Sequence, residues 1–251
     1  MPTRRIAILL TNEDDADFAR AFPDDGRKLH ARLSPLRPKW AWQVLPVTQG
    51  ELPPDARSFD GYVITGSPAS VNGPQAWLAP LLQFIRELHA QRVPTVGVCF
   101  GHQAMARALG GEVGPNPQGW SLGVGRTALA QTRPWMQPAL PYFRLYAAHN
   151  EQVLRLPPGA VLLGGDAYCP VGAFEVAEHF LATEYHPELD HRFMTALIDH
   201  LADQLPAEVT ERARQQIELP VDAAVFLEWM VRFLERPRAG SPSTPNPASP
   251  P

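Results

Sequence analysis

Cysteine is scarce: the chain has two in 251 residues. That is too few to staple a chain of this length, so a disulfide-framed secreted scaffold is excluded. Both thiols are expected in the reducing cytoplasm, free for chemistry. A strong excess of one charge is also missing. Lys and Arg total 22 against 26 Asp and Glu, a net charge of −4 without long runs of one sign. Such a surface does not suit a nucleic-acid backbone or an anionic membrane. No apolar run is long enough to cross a bilayer. The opening MPTRRIAILLTNEDD turns acidic without a small-residue cleavage site, so it reads as a first strand and not a signal peptide. The eight histidines show no ligand spacing of the H-x-x-x-H kind, no phosphate loop G-x-x-x-x-G-K-[ST] occurs, and no cofactor is implied. There is no internal repeat.

What is present is an alternation. RRIAILLT (4–11), WQVLPV (42–47), GYVITG (61–66) and TVGVC (95–99) read as buried strands. Between the last two, Leu78, Leu81, Leu82, Ile85 and Leu88 recur at helical spacing, and a further helix runs from about Phe100 to Leu109, stopped by Gly110-Gly111. This order predicts an α/β fold with a mainly parallel sheet flanked by helices. SLGVGRTALA (121–130), YFRLYAAH (142–149), AVLLGGD (160–166), AFEVAE (173–178) and FLATEYHPE (180–188) are short and partly alternating, and suit added antiparallel strands. Helices are expected over about 190–205 and 207–219. A third carries Phe226, Trp229, Met230 and Phe233 on one face and ends near Arg236. The expected division is a catalytic unit over 1–189, a helical extension packed on it over 190–236, and a disordered Pro/Ser-rich tail over 237–251.

Three stretches carry chemistry. GVCFG (97–101) has the G-x-nucleophile-x-G form of a strand-to-helix elbow. There the helix dipole would favour a Cys99 thiolate, and the Phe100 N–H could hold an oxyanion. The five residues alone also fit a packed thiol in a Gly-rich turn. EYHPE (184–188) offers a base: Pro187 holds His186 extended, so Glu188, two residues on, can lie beside the imidazole and fix its tautomer. TGSPASV (65–71) follows another strand and can present a second N–H donor to the same sheet edge. His102 reads as a packing residue under the elbow, and Cys169 as structural.

In this order and spacing the three stretches resemble the class I glutamine amidotransferase domain, over roughly Arg4 to Glu188. The nearer likeness is to its free-standing, GMP-synthase-like branch, which includes γ-glutamyl peptidases; YVITGSPASV, GVCFGHQAMARALGG, AAHNEQV and CPVGAF support it. The resemblance implies a Cys99-His186-Glu188 triad, an oxyanion hole from the N–H groups of Ser67 and Phe100, and substrate contacts at Gly66, Gln103, His149, Asn150 and Glu151. It implies a small-molecule substrate, glutamine or another γ-glutamyl compound, attacked to give a γ-glutamyl thioester. Departures are Glu184-Tyr185, where many members have Gln-Phe, and AHNEQ in place of a more usual S-H-x-D. The residues after Glu188 in this sequence are too few to form a synthetase domain. Three readings stay open: a glutaminase feeding ammonia to a separate acceptor enzyme, a γ-glutamyl peptidase acting alone, and a non-catalytic binding module.

Overall fold

The computed structural model describes residues 3–236, so the expected tail lies outside the described residues. Eleven strands are found there: β1 (Arg5–Leu10), β2 (Ala41–Pro46), β3 (Gly61–Ile64), β4 (Thr95–Val98), β5 (Glu112–Pro115), β6 (Ser121–Leu129), β7 (Tyr142–His149), β8 (Glu151–Arg155), β9 (Ala160–Gly165), β10 (Ala173–Val176) and β11 (Phe180–Thr183). The helices are α1 (Asp17–Arg20), α2 (Asp25–Leu33), α3 (Leu78–Ala90), α4 (Phe100–Ala108), α5 (His191–Leu201), α6 (Ala207–Gln216) and α7 (Ala223–Leu234).

Nine strands form one sheet in the order β2-β1-β3-β4-β11-β10-β9-β6-β7. The first five run parallel, and the remaining four extend the sheet antiparallel. The expected α/β architecture with added antiparallel strands is therefore present. Several details differ from the sequence reading. The last strand stops at Thr183 and runs parallel to β4, inserted beside the core instead of outside it. Residues 184–188 leave the ladder, where Pro187 has no N–H to give it. A second, two-stranded sheet of β5 and β8 and the helix α2 were not anticipated.

The period-2 pattern of β1 sorts its side chains between two cores. Ala7 and Leu9 pack with α3 and α4 on one face, while Ile6 and Ile8 pack with α2 and α7 on the other. Helix α7 is apolar over most of its circumference: Phe226, Trp229, Met230, Val231, Phe233 and Leu234 are all buried. Its C-terminal carbonyls, which have no intrahelical donor, accept from the Arg4 guanidinium at 2.7 Å (Leu234) and 2.6 Å (Glu235). Helices α5 and α6 cover the antiparallel end through Met194, Ile198, Ala213 and Ile217 against Leu122 and Tyr146. No described helix is long and apolar enough to cross a membrane.

Candidate active site

Strand β4 ends one residue before Cys99, and α4 begins one residue after it. Cys99 has φ 48° and ψ −104°, a conformation a residue with a Cβ adopts only under constraint. Both flanking glycines are required by close approach. A Cβ on Gly97 would stand 2.6 Å from the Gly101 backbone, and one on Gly101 would stand 2.5 Å from the Ile64 carbonyl oxygen. The turn is pinned by Cys99 N–H donating to Thr183 O (2.9 Å) and Gly101 N–H to Thr65 O (3.1 Å). Phe100 is the first helical residue, so its N–H has no acceptor within α4.

The imidazole of His186 arrives through sheet order. Because β11 lies beside β4 with Thr183 opposite Val98, both chains leave the sheet at the same edge. Beyond it, His186 N–H donates to Tyr146 O at 2.8 Å, and its Nδ1 lies 2.7 Å from Glu188 Oε1. Burial alone would lower the His186 pKa. The negative charges of Glu188 and Cys99 outweigh it and hold the imidazole well above its ordinary value, as a stronger base. Burial pushes the Cys99 thiol up, and His186 draws it part of the way back. The His186 ring rests on Gly66: a Cβ there would meet His186 Cε1 at 2.8 Å and Cys99 Cβ at 3.7 Å. Gly66→Ala should therefore displace the imidazole and lower kcat by on the order of 10²-fold, with the melting temperature little changed. Steady-state kinetics beside thermal denaturation checks this, and unaltered kcat would show that the ring is not held there.

The peptide after Gly66 is oriented by two hydroxyls. Thr65 Oγ1 donates to Gly66 O at 2.9 Å, and Thr11 Oγ1 lies 3.2 Å from the same oxygen. In a trans peptide the C=O and the following N–H point in opposite directions. Holding the Gly66 carbonyl down thus turns the Ser67 N–H away from these threonines, at a residue that lines the cavity with Cys99 and His186. Nothing in the sequence pattern singled out Thr11 or Thr65, since their partnership joins the ends of two separate strands.

The family model described as glutamine amidotransferase class-I matches residues 36–202. The chain belongs to this family. γ-Glutamyl peptidase 3 of Arabidopsis thaliana is 27% identical, over 70% of this chain and 75% of the relative. A glutamine-hydrolysing GMP synthase of Mannheimia succiniciproducens is 31% identical, over 61% of this chain but 28% of that longer protein. A glutamine amidotransferase crystal structure from Thermotoga maritima superposes with a TM-score of 0.73 at 17% identity, covering 94% of this chain and all of the other. The resemblance read from the motifs is thus met by family, relatives and fold.

In this family member the elbow opens into a cavity of about 660 Å³. Cys99, His186, Ser67, Gln103, His149, Asn150 and Glu151 all line it. Glu188 is buried behind His186, and Phe100 is buried with its ring against Trp77. Helices α1 and α5 add Phe18, Phe193, Leu197 and Leu201 to its lining, with His200 stacked on Phe18 at 4.3 Å between centroids. This contribution of α5 had no signal in the sequence beyond an amphipathic pattern. His149 Nδ1 bonds the Glu151 carbonyl at 3.0 Å, and burial lowers the ring to about 4, so it is neutral. His102 is wholly buried against Phe174, and burial lowers it to about 3. Cys169 is buried, and desolvation pushes its thiol up.

Proposed function

We propose that the protein hydrolyses γ-glutamyl amides through a Cys99-His186-Glu188 triad. The observation that carries this reading is a strained cysteine at a helix N-terminus beside an imidazole held at 2.7 Å by a buried carboxylate. His186 accepts the thiol proton as Cys99 Sγ bonds the γ-carbonyl carbon. The tetrahedral oxyanion receives the N–H groups of Ser67 and Phe100, and losing one such donor costs about 3–4 kcal/mol of barrier. His186 then protonates the leaving amine as the C–N bond breaks, giving amine and a γ-glutamyl thioester. Next it takes a proton from water, whose oxygen attacks the thioester. Collapse expels the thiolate, which recovers its proton, and releases glutamate.

Glutamine is the smallest donor for this sequence. With it as substrate, ammonia would pass to a separate acceptor enzyme, a reading supported by the GMP synthase relatives. A second reading, γ-glutamyl peptides with water as acceptor and no partner, is favoured by the cavity. Its lining includes Phe18, Phe193, Leu197 and Leu201, apolar surface that ammonia as a leaving group does not need. The test is labelling with a glutamine-analogue electrophile, followed by comparison of free glutamine with γ-glutamyl dipeptides. A single adduct on Cys99, none on Cys169, and a higher kcat/KM for dipeptides are expected. Absence of the adduct together with no turnover of either substrate class would sink the triad reading.

A further inference from the structure

Glu184 is a buried carboxylate beside Gln103 that the proposed reaction does not use. Its side chain is wholly buried. Oε1 accepts from Gln103 Nε2 at 2.8 Å, while Oε2 has no hydrogen-bond partner among the described residues. Its only neighbour at ion-pair distance among them is His102, Nε2 to Oε2 at 3.4 Å, a ring itself buried without charge. No lysine or arginine of the described residues pairs with it, and an ionised carboxylate in that setting would be strongly disfavoured. Gln103 Nε2 gives its second hydrogen to Glu151 O at 3.0 Å. With both N–H groups engaged by acceptors, Gln103 can offer the cavity only its carbonyl oxygen.

We propose that Glu184 is a positioning residue that works as an uncharged acid: it locks the Gln103 amide so that Oε1 faces the substrate's N–H groups, and its own ionisation disables the site. The inference rests on the γ-glutamyl hydrolase reading for its kinetic consequence, but not for its structural one. A negative charge here would lie near the Cys99 thiol, Cys169, Tyr185, His186 and Glu151. It would oppose formation of the Cys99 thiolate and of the oxyanion. Burial pushes Glu184 up to about 8, against which the Gln103 bond and His186 pull down less strongly. The sign for stability follows. A carboxyl raised from 4.5 to about 8 in the folded state costs nothing below its unfolded pKa, and destabilises progressively as pH rises toward its folded one.

The test compares wild type with Glu184→Gln, the isostere of the protonated acid, and Glu184→Met, using a γ-glutamyl dipeptide from pH 5 to 10. For Glu184→Gln, kcat/KM at pH 7 should stay within about threefold of wild type, and the alkaline limb should move up by at least about one pH unit. Glu184→Met should lose about tenfold or more, mostly in KM. Independently of turnover, the melting temperature of Glu184→Gln minus that of wild type should grow from pH 5 to 8 and level off above. A difference that does not vary with pH overturns the proposal whether or not the enzyme turns over. Turnover with superimposable alkaline limbs overturns it too. A melting difference that grows as stated, in a wild-type protein without turnover, supports the uncharged Glu184 and defeats the hydrolase reading instead.

Discussion

Cys99→Ala should lower turnover of every γ-glutamyl amide by on the order of 10⁴-fold or more, and His186→Ala nearly as much. The double variant should be no worse than either single one, because nucleophile and base act as a unit and removing one leaves the other nothing to do. Glu188→Gln is the more informative change. The amide keeps nearly the shape of the buried carboxyl group behind His186, so packing is retained. It supplies no negative charge, and its NH₂ can turn toward Nδ1 and favour the wrong tautomer, which in comparable triads costs up to about 10⁴-fold in kcat. The residual rate of Cys99→Ala, His186→Ala and the double variant should be similar, sustained by the N–H groups of Ser67 and Phe100. Single-turnover kinetics with quench detection of the thioester separates acylation from deacylation, and circular dichroism checks the fold. Cys99→Ala with undiminished hydrolysis would remove the thiol from the mechanism.

The readable parts of this molecule are the local ones. Gly97 marks the elbow because the Gly101 backbone, one helical turn on, approaches it, and such a demand is written at fixed spacing; Gly101 answers to Ile64 of the neighbouring strand, yet completes the same G-x-C-x-G pattern. The strands β1, β3 and β4 are apolar because both faces are covered, which leaves a continuous hydrophobic run. What could not be read depends on pairing between distant segments. His186 meets Cys99 only because β11 inserts parallel beside β4, and the composition of FLAT carries no label for its neighbour. The Thr11 and Thr65 hydroxyls, the bond of Glu184 to Gln103 and the α5 wall of the cavity arise in the same way. Each joins residues tens of positions apart through side chains that, taken singly, are ordinary. Glu184 was visible as a departure from the family pattern, yet its meaning came only with its burial.

Trp229→Ala should cost about 3–5 kcal/mol of stability, the range for deleting a large aromatic from a closed core. Trp229 is fully buried on α7, among Trp135, Phe143 and Phe226, and its indole N–H donates to Pro138 O at 3.0 Å. Alanine would leave both a void and an unpaired carbonyl, and the ring cluster around it comes from three separate segments that no single side chain can collapse to fill. In a chain of this size that loss corresponds to roughly 6–20 °C in melting temperature. Leu219→Ala, at a half-exposed position between α6 and α7, should change stability by less than about 0.5 kcal/mol. The effect should reach the active site, because the face that α7 covers includes Val96 and Val98 of β4, the strand that sets the backbone of Cys99. A chain ending at Glu188 would expose that whole face and should fail to fold, although it keeps every residue of the proposed triad. Chemical denaturation of the two variants, with expression of the shortened chain, tests this. A Trp229→Ala melting temperature within 2 °C of wild type, or a soluble, cooperatively folded chain ending at Glu188, would show that the C-terminal helix is an accessory layer and not part of the core that holds the elbow.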